Sequence, residues 1–561
     1  MTRLRSILTL ILAICVSIAL AACAGLPTSS PVQEGLEPES ATGVQDFSFL
    51  PDLPQPGASP AEIVEGFIRA GSGPGALGRW DRAREFLAPE FAEVWRPDTG
   101  VTVDSPGDRV YTTDDDGSIT VSVVAVATVD DKGSYQRAEA GPTDLPFTLE
   151  QQDDGEWRIT SARDGVVLDR DIFPSVFHEY SVAYFDPSWQ YLVPDVRWFP
   201  ISNAATRVAD ALVNKARSTW LEGSVATAFP ENVTLLASVP VTDGVAEIDL
   251  SDQVLDADRT TLDRMLTQLE ASLATAGATS VSLTVGSSPI IAEPVPTLST
   301  RIAAAPLVLT DDGFGFLSGG SFEPIPGLST AVVEAAPTAI QVSADRQFAA
   351  VTQADGAVAR VGADGSNIVI DDRTDLVDST IDPFGVVWTV PEDSPSDVHA
   401  VNLDGSVVRI GEAWPDASAI SAMAISRDGT RMAAIVMSGE RQLVWVAGVI
   451  RDVEGQPVRL GDPITIGTVV GGGVNITWID DTTVAALSSN DATSSVLEQV
   501  IGGPSSVTSA AEGMTSIAGG ATATTLRLHG VDEAVYAKRG TNWEQTATGV
   551  IVLATQQGMP Q

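Results

Sequence analysis

The sequence predicts a multidomain chain in which two small α+β units are followed by an all-β propeller of six blades. Three observations lead there. A chain of 561 residues exceeds what one hydrophobic core organises, so two to four domains are expected. Between residues 61 and 294, apolar residues at helical spacing alternate with strand-like runs. Beyond residue 305, pairs of short apolar strands return at a near-regular step, and no convincing helix interrupts them.

Residues 1–22 read as an export leader. Arg3 and Arg5 form a basic start, Ile7 to Leu20 is an uncharged apolar run, and Leu20-Ala21-Ala22-Cys23 follows. That order marks a secretory signal peptide, and the run is short for a membrane span, which needs about 20 apolar residues. Leu-Ala-Ala-Cys resembles the lipobox of bacterial lipoproteins. The resemblance implies cleavage between Ala22 and Cys23, a diacylglyceryl thioether on Cys23, and acylation of its new amine. The competing reading is an ordinary cut near Ala22 that leaves Cys23 a free thiol. Cys15 would leave with the leader, so the mature chain would hold one cysteine and no internal disulfide. A single leftover cysteine in an exported chain needs a reason, and lipidation supplies one. Each buried methylene contributes about 0.8 kcal/mol, and stable anchoring takes more than one acyl chain.

The formal charge of −42 comes from scarce basic residues, since only 19% of the chain is charged. Such a surface repels nucleic acid and anionic headgroups, which excludes a nucleic-acid partner and leaves membrane binding to the lipid. Residues 23–60, rich in Pro, Gly and Ser, form a flexible tether behind the lipidated cysteine. As a coil it would reach roughly 35 Å. Phe47–Leu53 is the one part that could dock.

Residues 61–173 are the first α+β unit. Pro60 opens a helix carrying Ile63, Val64, Phe67 and Ile68. A second helix is expected over about Leu77–Trp95, interrupted at Pro89. Strands are expected at Arg109–Thr112, Ser118–Val129, Tyr135–Ala138, Leu145–Gln151 and Glu156–Asp164. Helices followed by this meander resemble the cone-shaped nuclear-transport-factor-2-like fold. Gly71-Ser72-Gly73-Pro74-Gly75-Ala76 copies a dinucleotide fingerprint but follows a helix, not a strand, so it reads as a loop. Asp114-Asp115-Asp116-Gly117 places Val123 where a calcium loop needs a bidentate Glu, so it reads as a hairpin turn.

Residues 179–294 are the second unit. Strands Tyr180–Phe185 and Tyr191–Phe199 precede a helix over Asn203–Arg217. Strands at Val233–Ala237 and Val245–Asp249, a helix at Asp258–Ala276 and a strand at Ser280–Val285 complete it. The order, with Trp198-Phe199-Pro200 leading to Thr206-Arg207-Val208, resembles the GerMN module of sporulation and germination proteins. That resemblance implies a binding or scaffolding unit without catalysis.

Residues 305–556 carry the repeat. Its copies align on Ser343, Asp382, Ser426, Ile479 and Gly520, at steps of 39, 44, 53 and 41 residues. Steps of about 40–50 with four strands each indicate propeller blades. Asp355-Gly356, Asp364-Gly365 and Asp404-Gly405 supply outer turns, and Leu307–Leu317 offers strands for a sixth blade. A pair of β-sandwiches is the competing architecture, and it would not return so regularly.

The search for catalytic chemistry yields no catalytic, metal or cofactor-binding residue. His178, His399 and His529 are each more than 100 residues apart, with no zinc spacing around them. Neither a phosphate-binding Walker loop nor a G-x-S-x-G nucleophile elbow is present. Asp371-Asp372 and Glu392-Asp393 read as solvated loop acids. No enzyme activity and no cofactor beyond the lipid on Cys23 are expected.

Gly25-Leu26-Pro27-Thr28-Ser29-Ser30-Pro31, Ile63-Val64-Glu65-Gly66-Phe67-Ile68-Arg69-Ala70, Ala83-Arg84-Glu85-Phe86-Leu87 and Tyr184-Phe185-Asp186 occur in that order, ahead of the blade repeats. In this order they resemble the actinobacterial LpqB lipoprotein family. The resemblance implies a lipoprotein on the outer face of the cytoplasmic membrane. It implies a non-catalytic accessory of a MtrA/MtrB-type two-component system, which meets the extracellular domain of the sensor kinase in cell-envelope homeostasis and division. The alternative is a protein that binds or processes cell-wall glycan through its propeller.

Overall fold

Helix Pro60–Ala70 is the first element among the described residues. Its Glu62 carboxylate accepts from the Ser59 amide at 2.8 Å and the Ser59 hydroxyl at 2.7 Å. A computed structural model describes residues 51–75, 78–105, 107, 109–138, 141–214, 217–319, 321–490, 493–520 and 522–560. The leader, Ala22, Cys23 and the tether up to residue 50 lie outside the described residues, as does Ala76 of the glycine-rich loop.

Ile63, Val64, Phe67 and Ile68 bury one face of this helix against the first sheet. The sheet runs Trp157–Ser161, Pro142–Gln151, Ile119–Val129, Val101–Asp104 and Val166–Asp169. Val110–Thr113 and Tyr135–Arg137 pair with the long third strand. In Ile119–Val129 alternate residues are buried, as period 2 demands of a half-covered sheet. The single helix expected over Leu77–Trp95 is instead two short ones, Asp81–Arg84 and Pro89–Val94. Pro89 cannot continue a helix but can begin one. Between them the chain extends far enough for Leu87 to bridge Ile159. Two strands were not expected, Val101–Asp104 and Val166–Asp169. They pair parallel with each other across 65 residues, with Val101 beside Val166.

In the second unit, Phe177–Phe185 and Leu192–Pro200 form a hairpin that pairs with no other strand among the described residues. Val245–Asp249 and Ser280–Val285 pair parallel, which requires a crossover, and helix Arg259–Ala274 supplies it. Asp258 caps that helix by accepting the Thr261 amide at 2.8 Å. The strand expected at Val233–Ala237 is a loop with one isolated bridge, Leu235 to Leu250. Its apolar residues still serve the core, and Val233 is buried.

The third unit is the propeller. Among the described residues its strands fall into six groups. Sheet I begins at Pro337–Val342, sheet II at Thr380–Ile381 and sheet III at Ala419–Ile425. Sheet IV begins at Gly472–Trp478, sheet V at Met514–Ala518 and sheet VI at Val550–Gln556. Ser343, Asp382, Ser426 and Ile479 each fall directly after the first strand of their sheet, and Gly520 falls two residues after its own. Sheet VI is split in sequence. Its first strand is the C-terminal one, and its others are Leu307–Thr310, Gly313–Ser318 and Ser321–Pro324. The all-β expectation needs one correction. Leu328–Glu334 is a helix, entered through Gly327 at φ 76°. Ala331-Val332-Val333 looks like a strand in sequence, but Leu328, Ala331 and Val332 are spaced to bury one helical face.

The three units interlock. One apolar core holds Val208 and Leu212 of the second unit together with Ile435 and Val444 of sheet III. Gly448 passes so close to Ser224 and the Trp220 carbonyl that a Cβ would collide with them. Trp198, on the second unit's hairpin, packs 4.9 Å from Phe173 and 6.2 Å from Tyr135 of the first unit. Its indole N–H donates to the Gly502 carbonyl of the propeller at 2.8 Å. Replacing Trp198 with Ala is therefore expected to cost about 3–5 kcal/mol. Because this side chain is where the units meet, differential scanning calorimetry should show one transition resolving into two. A single transition shifted by less than about 2 °C would contradict that role.

Candidate functional site

Two concave features stand out. The first is the propeller's central channel, a cavity of about 190 Å³ lined by the first strands of all six sheets. Its wall is laced by bonds from one sheet to the next. Gln341 accepts from the Thr380 hydroxyl at 3.1 Å, and the Thr380 hydroxyl in turn accepts the Ile425 amide at 3.2 Å. Trp478 donates its indole N–H to the Ala424 carbonyl at 3.0 Å, and Thr477 receives the Gly519 amide at 3.1 Å. Arg427, 7% exposed, reaches furthest. Its guanidinium donates to the carbonyls of Trp478 at 2.8 Å, Ile479 at 3.3 Å and Gly520 at 3.0 Å, joining sheets III, IV and V. Burial pulls its pKa below the usual arginine value.

The channel holds one carboxylate, Asp378, among its lining residues. Asp378 is exposed to the open channel, and the protein packed around that channel pushes its pKa above the ordinary aspartate value. Asn475 donates to it at 3.2 Å. Glycoside hydrolysis needs two carboxyl groups facing each other across the bond, and this channel does not bring two together. His529 also lines the channel. Its Nε2–H donates to the Val550 carbonyl at 2.7 Å, and its Nδ1 lies 3.2 Å from the Thr515 hydroxyl. Nε2 thus holds sheet V to sheet VI, and Nδ1 is engaged within sheet V.

The other two histidines lie elsewhere. His178 sits on the second unit's hairpin. His399 lies in sheet II, with Nε2 3.3 Å from Asp397. Burial, then the charge of Arg373, lowers its pKa. Among the described residues, no three His, Cys, Asp or Glu side chains are grouped to hold a metal ion. Asp371 corrects the expectation of a solvated acid. It is 8% exposed, pairs with Arg373 at 2.7 Å and accepts the Thr389 hydroxyl at 2.5 Å. Asp372, Glu392 and Asp393 are exposed, as read from sequence.

The second feature is a groove of about 1,100 Å³ where the second unit's Asp186–Gln190 turn meets sheets II and III. Asp186 is fully buried and shapes that turn, accepting the amides of Ser188 at 2.9 Å, Gln190 at 2.7 Å and Tyr191 at 2.6 Å. A buried pair, Arg451 and Asp382 at 2.6 Å, contributes to the groove wall, with the guanidinium 4.6 Å over the Phe384 ring. Two hairpin tips frame the opening, and each carries an aliphatic side chain into solvent. Leu403 is 55% exposed and Val453 is 97% exposed. Asp404, Asp452 and Glu454 stand beside them. The Ser406 hydroxyl, then its amide, holds the Asp404 carboxyl below the usual range. The groove is thus apolar at its tips and acidic at its rim.

Neither feature was legible in advance. The repeat Ile425-Ser426-Arg427-Asp428-Gly429-Thr430-Arg431 contains two arginines, and nothing in the pattern says which one crosses to neighbouring sheets. Asp378 stands one residue before the aligned repeat Ser379–Val390 and has no signal of its own.

Comparison with known proteins gives three family matches in chain order. Residues 53–174 match the lipoprotein LpqB N-terminal domain. Residues 182–290 match the sporulation and spore germination (Germane) domain, and residues 312–552 match the lipoprotein LpqB beta-propeller domain. Curated relatives are named Lipoprotein LpqB. The protein of Thermobifida fusca is 31% identical over 46% of this chain and 42% of its own length. That of Bifidobacterium longum is 27% identical over 78% of both chains. The match to the first of these thus spans less than half of that relative. Among solved structures, the chain has a TM-score of 0.32 to a chain of a nidogen/laminin complex, at 9% identity, covering 45% of this chain and 96% of that one. The tandem GerMN domains of GerM from Bacillus subtilis give 0.18 at 15% identity, covering 36% of this chain and 63% of that one. At such scores neither likeness bears on function.

Proposed function

The chain belongs to the LpqB lipoprotein family, and we propose on that premise that it is a lipid-anchored, non-catalytic modulator of a sensor histidine kinase. Its lipid sits on Cys23 at the outer face of the cytoplasmic membrane, and the partner is the kinase's extracellular domain, in a MtrA/MtrB-type system. We read the six sheets as six blades. The observation that carries the proposal is the groove at the junction of the second unit and the propeller. Exposed aliphatic tips ringed by carboxylates suit a protein surface better than a small substrate. The lone carboxylate of the channel disfavours the glycan-processing alternative. Anchoring confines the groove to the layer that the kinase's outer domain occupies, so a weak contact suffices.

The test is a photo-crosslinking residue placed at Val453 in the full, anchored chain in living cells. The expected adduct contains a membrane histidine kinase, identified by its peptides. An adduct with wall polymer alone would overturn the reading. The same cells carrying Cys23→Ser should release the protein to the medium and lose the adduct. Membrane retention of that variant would refute the lipid anchor.

A further inference from the structure

The groove between the second unit and sheets II and III selects the chemistry of its occupant. Both hairpin tips at its opening are held by their own bonds. In the first, the Asn402 amide donates to the Ser406 carbonyl at 2.9 Å and the Gly405 amide to the Asn402 carbonyl at 3.0 Å. Asp404 accepts the Ser406 hydroxyl at 2.6 Å and its amide at 2.8 Å, both on Oδ1. In the second, the Asp452 amide donates to the Gln456 carbonyl at 2.9 Å. Its carboxylate accepts the amides of Glu454 at 3.0 Å and Gln456 at 2.9 Å, again on Oδ1. Each tip thus fixes a carboxylate through one oxygen and holds its aliphatic side chain, Leu403 or Val453, out in solvent. Binding to a surface already ordered avoids much of the entropy cost of ordering it.

The rim is electrostatically one-sided. Asp404, Asp452 and Glu454 are exposed, and among the described residues none of them makes an ion pair. The guanidinium in the lining, Arg451, cannot balance them. Its side chain is 4% exposed, pairs with Asp382 at 2.6 Å, and donates to the carbonyls of Gly455 at 3.1 Å and Gly429 at 3.2 Å. Arg360 reaches the base of the first tip, but donates there to the Asn402 carbonyl at 3.0 Å. The same charge argues against covers from this chain itself. Residues 24–50 contain Glu34, Glu37, Glu39 and Asp46 and no Lys, Arg or His, and a second copy brings a further formal charge of −42. Like charges set against this rim are unfavourable, whereas a cationic partner meets it with complementary potential. The volume of about 1,100 Å³ exceeds the roughly 300–1,000 Å³ of small-molecule sites, so a chain segment fits it better than a metabolite.

We propose that the groove accepts a cationic segment of a partner protein, in which lysine or arginine side chains flank aliphatic ones. The cations meet Asp404, Asp452 and Glu454, and the aliphatic side chains pack between Leu403 and Val453. This rests on the groove being the docking face and adds what the partner has to present there. The carboxylates supply charge-assisted hydrogen bonds and the tips supply apolar area, so neither a purely basic nor a purely aliphatic segment suffices.

Fluorescence anisotropy of the full chain in detergent tests it, with a labelled peptide of alternating lysine and leucine as the probe. Two companion peptides carry glutamate for lysine or serine for leucine. The lysine–leucine peptide is expected to bind at least tenfold more tightly than either. Asp404→Asn, Asp452→Asn and Glu454→Gln together keep the acceptors of both turns. They should weaken that peptide at least tenfold while leaving the melting temperature in place. Neutralising an exposed pair on sheet VI, Asp311→Asn with Asp312→Asn, should change its affinity less than twofold. Equal losses in the two variants, or equal binding of the serine peptide, would overturn the proposal, because either result reports only the attraction of a cation to an acidic chain. Should the triple variant not fold, Glu454→Gln alone decides the matter, with a loss of about threefold expected and no loss overturning the proposal. The Val453 crosslink in living cells separates this from the reading beneath it. A kinase adduct undiminished in the triple variant overturns the cationic segment and leaves the docking face standing. A missing kinase adduct in the unaltered chain overturns the kinase reading, while the peptide titration still decides the chemistry of the groove.

Discussion

Ending the chain at Gly549 is expected to abolish the folded propeller. The deleted strand, Val550–Gln556, pairs antiparallel with Leu307–Thr310, setting Leu309 beside Val552. It also pairs parallel with the first strand of sheet I, setting Val342 beside Gln556. It is thus the single piece that closes sheet VI and joins it to sheet I. Its side chains serve two apolar clusters, with Val552 and Ala554 in one and Val550 and Leu553 in the other. Removing a buried Val or Leu forfeits about 1.5–3 kcal/mol, so three of them match a sizeable part of a domain's usual 5–15 kcal/mol. The cut also takes away the carbonyl that holds His529 and the Gln557 bond to the Ser426 carbonyl, both across sheet boundaries. Two sheet edges open at once, and exposed apolar edges recruit other chains. Circular dichroism and thermal unfolding of the truncated chain should show no cooperative propeller transition, with aggregation on heating. A cooperative transition within a few degrees of the full chain would mean that the ring closes without this strand.

That closure shows where the sequence stopped informing. The repeat was legible because each sheet begins with an apolar strand and a polar turn. Ser343, Asp382, Ser426 and Ile479 fall in the turn after that strand because local hydrogen bonds fix it there. Ser343 and Ser426 each donate a hydroxyl hydrogen bond at 2.6 Å to the aspartate two residues on. A local device leaves a local pattern. The partner of Leu307–Thr310 lies some 240 residues away, and no short window records it. The same limit hid the parallel pair Val101–Asp104 and Val166–Asp169. It also hid Asp371, whose burial is set by Arg373 and Thr389 coming together through tertiary packing. Helix Leu328–Glu334 failed differently, because a β-branched heptapeptide carries too little period to separate helix from strand. The residues most exposed to chemical inference, Ala22 and Cys23, lie outside the described residues, so the anchor rests on the Cys23→Ser experiment.

The second large effect is expected one residue from Arg427. Asp428 is fully buried and accepts the Ser426 hydroxyl at 2.6 Å, the Thr430 amide at 2.9 Å and the Thr430 hydroxyl at 2.5 Å. It also pairs with Arg431, itself 1% exposed. Arg431 in turn donates to the Asp481 carbonyl at 2.6 Å and lies 4.9 Å over the Trp478 ring, so the pair fastens sheet III to sheet IV. Burial alone would raise the Asp428 pKa. The charge of Arg431 and the donated hydrogen bonds outweigh burial and hold it below the ordinary value. Removing one partner of such a pair leaves the other charge buried and uncompensated. Asp428→Asn is therefore expected to lose about 3–5 kcal/mol, read by urea denaturation of the full chain. Adding Arg431→Met removes the orphaned charge and should recover part of that loss, which a purely steric effect of the first change would not allow. The pH dependence has a fixed sign. A carboxyl with a depressed folded pKa contributes stability that is fully present above its unfolded value, about 3.9, and that is lost as pH falls through the folded value. The unaltered chain should lose stability on acidification in that window, and Asp428→Asn should lose less there. An Asp428→Asn protein within about 1 kcal/mol of the original at neutral pH, or with the same acid limb, would show that this pair does not fasten the ring.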